Sequence, residues 1–398
     1  MTKSKLYSYF NYFYIAIVLL WRPLQGTILT VDGKGRILLL LTIIALLINC
    51  NRIVFRKILY KQPIVIWLLW CIYVIINTYL SGFYREDVSF LYFAINQICC
   101  PCIIMAVIAF EYFKDDRKLL KYVLFIFLIY AFIGAFVMDI GYVAAEEDAV
   151  NVNTLGNALA LNVMMIIFFT GLCYCRKELS LKITVVLILF AMGIIVMSAT
   201  RKALGAGVLM IIALMLSQIK ISINSLIKMM VPIIALYFAF TYVMNNTGMG
   251  KRLSELDDQA DNVSLYYNVS DNVFLKSLGD RAPQYILGTQ LFVEQPITGI
   301  GLTNFQRKSG YPNRLHSEYM VQICECGIIG CILFVMFYIY IIKQLLLKFR
   351  KGNYDRQIVV IMLGTIVALL FIYLTTWSYS NCVYFTVLGT IIGYIYKK

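Results

Sequence analysis

Long apolar stretches recur along the whole chain, and they constrain its fold more than any other feature of the sequence. Most are about 18 residues or longer, which is the length that an α-helix needs to cross a bilayer. They lack the alternation of polar and apolar residues that membrane-spanning strands require. Because 61% of the residues are hydrophobic and only 14% are charged, we predict an all-α polytopic membrane protein without a soluble domain of ordinary size.

The apolar stretches predict about twelve transmembrane helices. They lie near residues 8–21, 37–51, 62–80, 88–110, 119–139, 154–175, 181–199, 202–218, 225–244, 316–342, 357–376 and 379–395. One connection, residues 245–315, is long, and the others are short. The pattern therefore predicts nine helices in residues 1–244, a large loop in residues 245–315 and three helices in residues 316–398. No small-residue cleavage pattern follows the first stretch, so we expect its helix to be retained.

The distribution of basic residues predicts the orientation of the helices, because cytoplasmic connections of membrane proteins are enriched in lysine and arginine. Most basic residues of the short connections fall on the cytoplasmic side if the N-terminus lies there, and the acidic connection "GYVAAEEDAV" then falls outside. We therefore predict that both termini are cytoplasmic and that the long loop lies on the outer side of the membrane. Basic clusters of this kind contact anionic lipid, so the net charge of +14 requires no nucleic acid.

Cysteines form two groups that resemble metal or redox motifs, "CCPC" at residues 99–102 and "CEC" at residues 324–326. Both groups lie in apolar stretches, and the chain has a single histidine. Buried cysteine behaves as a small apolar side chain, which is the interpretation we favour for these residues. We therefore expect no metal site and no cofactor.

Two arginines stand at edges of apolar stretches, where a charge at membrane depth is costly and needs a reason. Arg201 opens a stretch after a very short connection, in "SATRKALGAG". Arg281 lies in the long loop, before a short amphipathic helix that we predict at about residues 282–294. Each can be a solvated or lipid-anchoring charge, or a fixed cation that binds an anionic substrate.

The segment "NRLHSEYMVQICECGIIG", residues 313–330, holds the only histidine, His316, where a charged loop meets an apolar stretch. Other polar side chains in this segment are Arg314, Glu318, Tyr319, Gln322 and Glu325. In a helix that begins near His316, Glu318 and Glu325 share one stripe with Gln322, and Tyr319 lies on a neighbouring face with His316. Such a stripe is expected to face a wet interior of the bundle.

Two asparagines, Asn153 and Asn157, lie one turn apart at the start of the sixth stretch, in "NVNTLGNALALN". Their amides suit hydrogen bonds to sugar hydroxyls and equally suit hydrogen bonds between helices. The sequence favours neither interpretation.

Three segments in a fixed order resemble the O-antigen ligase and polymerase family. They are "SATRKALGAGVLMIIALML", "GDRAPQYILGTQLFVEQPITGIGLTNF" and "LHSEYMVQICECGIIGCILF". The family pattern has an arginine that opens a helix, then a periplasmic loop with an arginine and a P-x-x-G-x-G-x-x-x-F stretch. A histidine followed by asparagine or serine then starts the next helix, and a Glu-x-Gly follows. The corresponding residues are Arg201, Arg281, Pro296, Gly299, Gly301, Phe305, His316, Glu325 and Gly327. Ser317 stands where asparagine is more usual.

The resemblance implies a fold similar to that of GT-C glycosyltransferases in a bacterial inner membrane. It also implies metal-independent transfer of a glycan from undecaprenyl diphosphate. The residues expected to bind the donor diphosphate are Arg201, Arg281 and Arg314, because a guanidinium bonds phosphate oxygens bidentately. His316 is the expected base for the acceptor hydroxyl, with Glu318 as alternative base or as orienter. If His316 instead contacts the diphosphate as imidazolium, the base has to be a carboxylate. Glu325, Tyr319 and Asn157 are expected to support the acceptor side.

Two functions within this family fit the sequence, and a third comes from another class. A polymerase of O-antigen or capsule repeat units is favoured, because such polymerases vary freely in sequence and this chain matches only in the core motifs. The alternative is an O-antigen ligase whose acceptor is lipid A–core. A twelve-helix transporter or a flippase is less favoured, because the internal repeats of such proteins are absent from the sequence. The expected partners are undecaprenyl-diphosphate-linked oligosaccharides and membrane lipid. The resemblance is also compatible with a chain-length regulator as a partner.

Overall fold

The computed structural model describes residues 3–27, 36–83, 89–137, 149–198, 200–218, 281–350 and 355–397, and their regular secondary structure is entirely helical. In chain order the helices are α1 Lys3–Thr27, α2 Arg36–Cys50, α3 Ile53–Leu59, α4 Gln62–Leu80, α5 Phe90–Lys114, α6 Asp116–Phe132, α7 Ala149–Cys175, α8 Leu181–Met197, α9 Arg201–Gln218, α10 Ala282–Glu294, α11 Phe305–Ser309, α12 Glu318–Met320, α13 Gly327–Arg350, α14 Arg356–Tyr373 and α15 Cys382–Tyr396. Wider π-helical turns occur within α5 at Phe93–Cys99, after α6 at Ile133–Val137 and after α12 at Val321–Glu325.

The described helices confirm an all-α polytopic membrane protein, but they do not confirm the count of twelve transmembrane helices. Six of them are long and apolar enough to cross a membrane, namely α4, α5, α6, α9, α13 and α14. A seventh is added if α2 and α3, which are bent by 110° relative to each other, form one span. The apolar helices α8 and α15 and the segment Leu159–Cys175 are shorter. The predicted ninth helix, near residues 225–244, lies outside the described residues, and the division into three regions stays a prediction.

The chain forms two compact units, of which unit 1 comprises Met1–Ile126, Pro283–Arg350 and Tyr373–Lys398. Its core is aromatic. Trp67 and Trp70 of α4 stack with ring centroids 4.6 Å apart, and Phe337 of α13 and Phe385 of α15 each lie 4.9 Å from Trp67. All four rings are almost fully buried. Burial of such large apolar rings fixes α4, α13 and α15 against one another, and these helices flank the polar segment around His316.

Unit 2 comprises Phe127–Ala282 and Lys351–Ile372. Small residues at the start of α9 allow it to pack closely, as the sequence predicts. Ala203 and Ala206 are fully buried, and Gly207 faces Ile167 of α7 together with Met192 and Ile195 of α8. Small side chains let neighbouring membrane helices approach closely, so the start of α9, with Arg201, is held by α7 and α8.

Candidate functional site

The polar segment around His316 begins with a broken helix and not with one continuous span. Ser317 caps α12, because its hydroxyl accepts a hydrogen bond from the N–H of Met320 (3.5 Å). Serine and asparagine cap helices about equally well, so the serine at this position preserves the local structure. The chain then passes through the π-helical turn, and α13 begins only at Gly327. Helical structure therefore begins near His316, as predicted, but it is interrupted before Gly327 and does not form one continuous helix.

The predicted stripe of Glu318, Gln322 and Glu325 is only partly present. Gln322 donates a hydrogen bond to Glu318 (Nε2–Oε1, 2.7 Å), as the i, i+4 spacing predicts. Glu325 has different partners, described below. A π-helical turn has more residues per turn than an α-helix, so the turn at Val321–Glu325 takes Glu325 out of the register that the sequence argument assumed.

Glu318 is fully buried and holds the loop that follows α14. Its Oε2 accepts hydrogen bonds from the backbone N–H of Ser378, from the Ser378 hydroxyl (3.1 Å) and from the N–H of Tyr379 (3.1 Å). With the bond from Gln322, the carboxyl group accepts four hydrogen bonds. Burial raises the pKa of Glu318, and these bonds oppose that rise. A carboxylate engaged in this way favours the orienting role over the alternative role of a base.

His316 is half-buried and fixed by acceptors on one ring nitrogen. Its Nδ1 lies 2.8 Å from the carbonyl oxygen of Arg314 and 3.3 Å from Oε1 of Gln284. A carbonyl oxygen can only accept a hydrogen bond, so Nδ1 carries the proton. In the neutral ring the lone pair is then on Nε2, which is the form of histidine that accepts a proton.

Gln284 of α10 completes the placement of His316, and the sequence analysis missed it. The Gln284 side chain is 3% exposed, and its Oε1 also accepts the backbone N–H of His316 (3.0 Å). The buried oxygen therefore fixes both the ring and the backbone of the histidine. In the sequence, Gln284 is a polar residue near the start of a predicted amphipathic helix. This position alone does not distinguish a buried glutamine from a surface one.

The two glycine motifs of the chain pack against each other through their backbones. Ile300 and Gly301 donate from their N–H groups to the carbonyl oxygens of Cys324 (3.1 Å) and Glu325 (2.9 Å). Gly299 has a φ of +71°, and a Cβ built on it would lie 2.5 Å from the backbone nitrogen of Gly327. Only glycine fits so close an approach with this backbone conformation. The stretch at residues 296–301 and the Glu-x-Gly at residues 325–327 therefore form one structure, the glycine crossing.

Helix α4 supports the glycine crossing through two polar side chains that the sequence analysis missed. The Tyr73 hydroxyl lies within hydrogen-bonding distance of the carbonyl oxygens of Thr298 (2.9 Å) and Cys326 (2.8 Å). Asn77 donates to the carbonyl oxygen of Thr298 (2.9 Å). Since these carbonyl groups lie at a break in regular structure, they need side-chain donors.

Glu325 lies just before the candidate span α13 and is 5% exposed. Its Oε1 accepts a hydrogen bond from the N–H of Phe305 (3.2 Å), and the N–H of Thr303 is a second donor to the carboxyl group. Burial raises the pKa of Glu325 to about 7, although these donors and the charge of Arg314 oppose the rise. Glu325 therefore changes its protonation near neutral pH while it holds the turn that follows the glycine crossing.

Replacement of Glu325 by glutamine should remove a pH dependence of stability. The pKa of this carboxyl rises from 4.5 to about 7 on folding, so the folded protein binds the proton more tightly than the unfolded chain does. The free energy of unfolding therefore falls as pH increases across that interval, by up to about 3 kcal/mol. Glutamine is neutral and keeps an acceptor for the two N–H groups, so the melting temperature of Glu325→Gln between pH 5 and 8 should be flatter than that of the wild type. Equal slopes would contradict the assignment.

The predicted diphosphate-binding residues lie in both units. In unit 1, Arg314 is half-buried and donates from Nε to Oε1 of Gln306 (3.3 Å). In unit 2, Arg201 opens α9, and Arg281 lies within electrostatic reach of Lys202, the residue after Arg201. Lys202 was not predicted, although its position beside Arg201 was a signal. A joint site of the unit 2 cations with His316 stays a prediction.

Tyr319 and Asn157 are the other residues predicted to support the acceptor side. Tyr319 is half-buried, and burial together with the charge of Glu318 raises the pKa of Tyr319. Asn157 lies within α7, but its side chain falls outside the described residues.

The cysteine motifs differ in their surroundings, and Cys100 of the first group lies 3.7 Å (Sγ–Sγ) from Cys382. No group of three or more histidine, cysteine, aspartate or glutamate residues is arranged there to hold a metal ion. The group at residues 99–102 lies within α5, and the group at residues 324–326 lies at the break before α13.

The described residues define a polytopic helical membrane protein with a buried, ordered polar segment around a single histidine. Residues 183–335 match the family model described as O-antigen ligase. This match supports an O-antigen ligase/polymerase-like family of membrane glycosyltransferase-like enzymes, and it confirms the resemblance inferred from the motifs. The matched region includes Arg201, Arg281 and His316. No curated protein matches the chain significantly.

Proposed function

We propose that this protein is a repeat-unit polymerase for a surface polysaccharide, either an O-antigen or a capsule. It would transfer a glycan from undecaprenyl diphosphate to the non-reducing-end sugar of another lipid-linked repeat unit, on the periplasmic face of the inner membrane. The observation that carries the proposal is the state of His316, which lies inside the region similar to O-antigen ligase. Its Nδ1 donates to the carbonyl oxygen of Arg314, so its Nε2 can accept a proton.

In the proposed reaction, the acceptor hydroxyl gives its proton to Nε2 of His316 as its oxygen attacks the anomeric carbon of the donor. The bond between this carbon and the diphosphate oxygen breaks, and undecaprenyl diphosphate leaves with the bonding electrons. Gln284 and the carbonyl of Arg314 hold the imidazole in place. A positioned base near its working pH contributes typically about 10²–10⁴ to such a rate.

The leaving diphosphate needs positive charge, and the cations on each unit are proposed to supply it. Arg201 and Arg281 would bind phosphate oxygens, and the electrostatic interaction of Arg281 with Lys202 supports a concentration of positive charge near the start of α9. Like charges held together are unfavourable unless an anion neutralises them. Arg314 is the third proposed diphosphate ligand.

An O-antigen ligase is the alternative, because the description of the matching family names that activity. A ligase would use the same residues and would differ only in its acceptor, lipid A–core. We favour the polymerase because such polymerases vary freely in sequence and this chain matches only in the core motifs. The family match itself fits either activity. A transporter or flippase is less favoured, because neither function requires an ordered base such as His316.

Deletion of the gene in its host, with complementation at matched expression, separates these functions. Surface glycan that carries one repeat unit on its final acceptor indicates a polymerase. Long chains that stay on undecaprenyl diphosphate and never reach lipid A–core indicate a ligase. A deletion strain with an unchanged glycan ladder would contradict both.

Replacement of either proposed diphosphate ligand, Arg201→Ala or Arg281→Ala, should reproduce the deletion phenotype. Loss of a charge-assisted bond to the leaving group costs about 2–4 kcal/mol, or about 30- to 1,000-fold in rate. Arg307→Ala is the control, because Arg307 is an exposed arginine of the same matched region that bonds the carbonyl oxygen of Ser81 (3.3 Å). A normal ladder with Arg201→Ala and Arg281→Ala would refute their assignment.

A further inference from the structure

The loop between α14 and α15, residues 374–381, is fixed to the residues that adjoin His316. The Ser317 hydroxyl donates to the carbonyl oxygen of Tyr373 (3.3 Å), and the Tyr285 hydroxyl donates to that of Leu374 (3.0 Å). Glu318 accepts three hydrogen bonds from the loop. The loop is therefore held on both sides of the histidine segment, by α10 and by α12.

The chemistry of this loop, "LTTWSYSN", is unlike that of a simple connection between membrane helices. All of its residues except Leu374 and Trp377 carry a hydroxyl or an amide. Thr376 is half-buried, and its hydroxyl has no hydrogen-bond partner among the described residues. This hydroxyl is therefore a polar group of the loop that the contacts within the described residues do not use.

Trp377 is half-buried and lies against a rigid support. Its ring centroid is 6.0 Å from that of Tyr379, at an interplanar angle of 38°. Tyr379 is only 5% exposed, and its ring lies 6.3 Å from that of the buried Trp70. A fixed aromatic ring buries the apolar C–H face of a sugar, and neighbouring hydroxyls bond its O–H groups.

We propose that residues 374–381 form a sugar-binding subsite, with Trp377 as the surface on which one pyranose ring packs and the hydroxyl and amide groups of the loop as its polar contacts. The proposal rests on the proposed function, since it places a ring of the donor or of the acceptor next to the bond that forms. Tryptophan is also common at the lipid–water boundary of membrane proteins. A lipid-anchoring role would account for Trp377, but it does not account for the three hydrogen bonds that Glu318 accepts from the loop.

The test uses the full chain in nanodiscs with lipid-linked oligosaccharide from its host, and compares Trp377→Ala with Trp377→Phe. The alanine variant should raise the KM for one substrate about tenfold, because aromatic contacts contribute of the order of one factor of ten in affinity. The kcat should change by less than about threefold, since uniform binding is lost and not transition-state stabilisation. Phenylalanine should restore most of the KM. A raised acceptor KM identifies an acceptor ring, and a raised donor KM identifies a donor ring.

Trp21→Ala is the matched control for lipid anchoring, because Trp21 is also half-buried and lies in the apolar helix α1. If Trp377→Ala and Trp21→Ala both lower the yield in membranes and leave both KM values unchanged, Trp377 is a lipid anchor and the proposal is overturned.

A separate binding measurement tests the sugar-binding subsite independently of the proposed function. Oligosaccharides released from the surface polysaccharide of the host can be mixed with wild type and Trp377→Ala, and saturation-transfer NMR then reports contact with sugar protons. If the wild type transfers no glycan, the proposed function fails. The subsite is then supported by a wild-type signal that Trp377→Ala loses, and is refuted by equal signals in both.

Discussion

Glycan transfer by His316→Ala should be slower than transfer by the wild type by about 10²–10⁴-fold, the range that a positioned general base contributes. The alanine variant lacks the imidazole, whose Nδ1 is held by two acceptors, the Arg314 carbonyl and Oε1 of Gln284, so that its lone pair is on Nε2. The loss should appear in kcat, since the ring acts on the proton that moves in the transition state. Chain extension by purified protein in nanodiscs, with lipid-linked oligosaccharide as substrate, measures this rate.

Gln284→Leu is the companion variant, because Gln284 acts only through the histidine. Leucine removes one of the two acceptors that hold Nδ1, but the carbonyl oxygen of Arg314 (2.8 Å) keeps the proton on that nitrogen. The rate should therefore fall much less, by about tenfold, although leucine also removes the acceptor of the His316 backbone N–H. A rate for Gln284→Leu as low as that of His316→Ala would show that orientation depends on Gln284 alone.

Glu318→Gln separates the two candidate bases. The amide would direct N–H groups towards donors of the loop, because Ser378 and Tyr379 both donate to this carboxyl group. We therefore expect Glu318→Gln to lower the melting temperature as well as the activity. An inactive Glu318→Gln of normal stability, together with an active His316→Ala, would transfer the role of base from the histidine to the carboxylate.

Features of the site that depend on local periodicity were predictable from the sequence. The start of α9 at Arg201, the helix Ala282–Glu294 and the contact between Glu318 and Gln322 all follow from residue spacing within one segment. Such features depend on hydrogen bonds and side-chain pairs a few residues apart. The order of these segments along the chain was recognised from the family motifs and not from periodicity.

Features that depend on distant contacts were not predictable in this way. Gln284 and His316 are 32 positions apart, and Tyr73 is 253 positions from Cys326, whose carbonyl oxygen it contacts. Periodicity within a segment contains no information about such pairs. The position of Glu325 was mispredicted for a different reason, because a straight helix was assumed where the chain forms a π-helical turn and then breaks at Gly327.

Gly299→Ala should unfold or severely destabilise the protein, by about 3–5 kcal/mol from backbone strain and steric overlap combined. The new Cβ would lie 2.5 Å from the Gly327 nitrogen and 2.6 Å from the Glu325 carbonyl oxygen, and both are backbone atoms that cannot rotate away. Relief of the overlap would separate the two motifs and break the hydrogen bonds from Ile300 to Cys324 and from Gly301 to Glu325. Thermal unfolding of detergent-solubilised protein, followed by fluorescence size-exclusion, measures the loss.

Gly310→Ala isolates backbone strain from steric overlap. Gly310 has the same φ of +71° as Gly299, but a Cβ at Gly310 would meet no atom within 4 Å. Its replacement should therefore cost only the strain of a left-handed alanine, about 1–2 kcal/mol. If Gly299→Ala is no less stable than Gly310→Ala, the glycine crossing is not a rigid contact. If it is much less stable, Gly327→Ala should be similarly unstable. The double variant should then lose less than the sum of the two, because both substitutions separate the same pair of backbones.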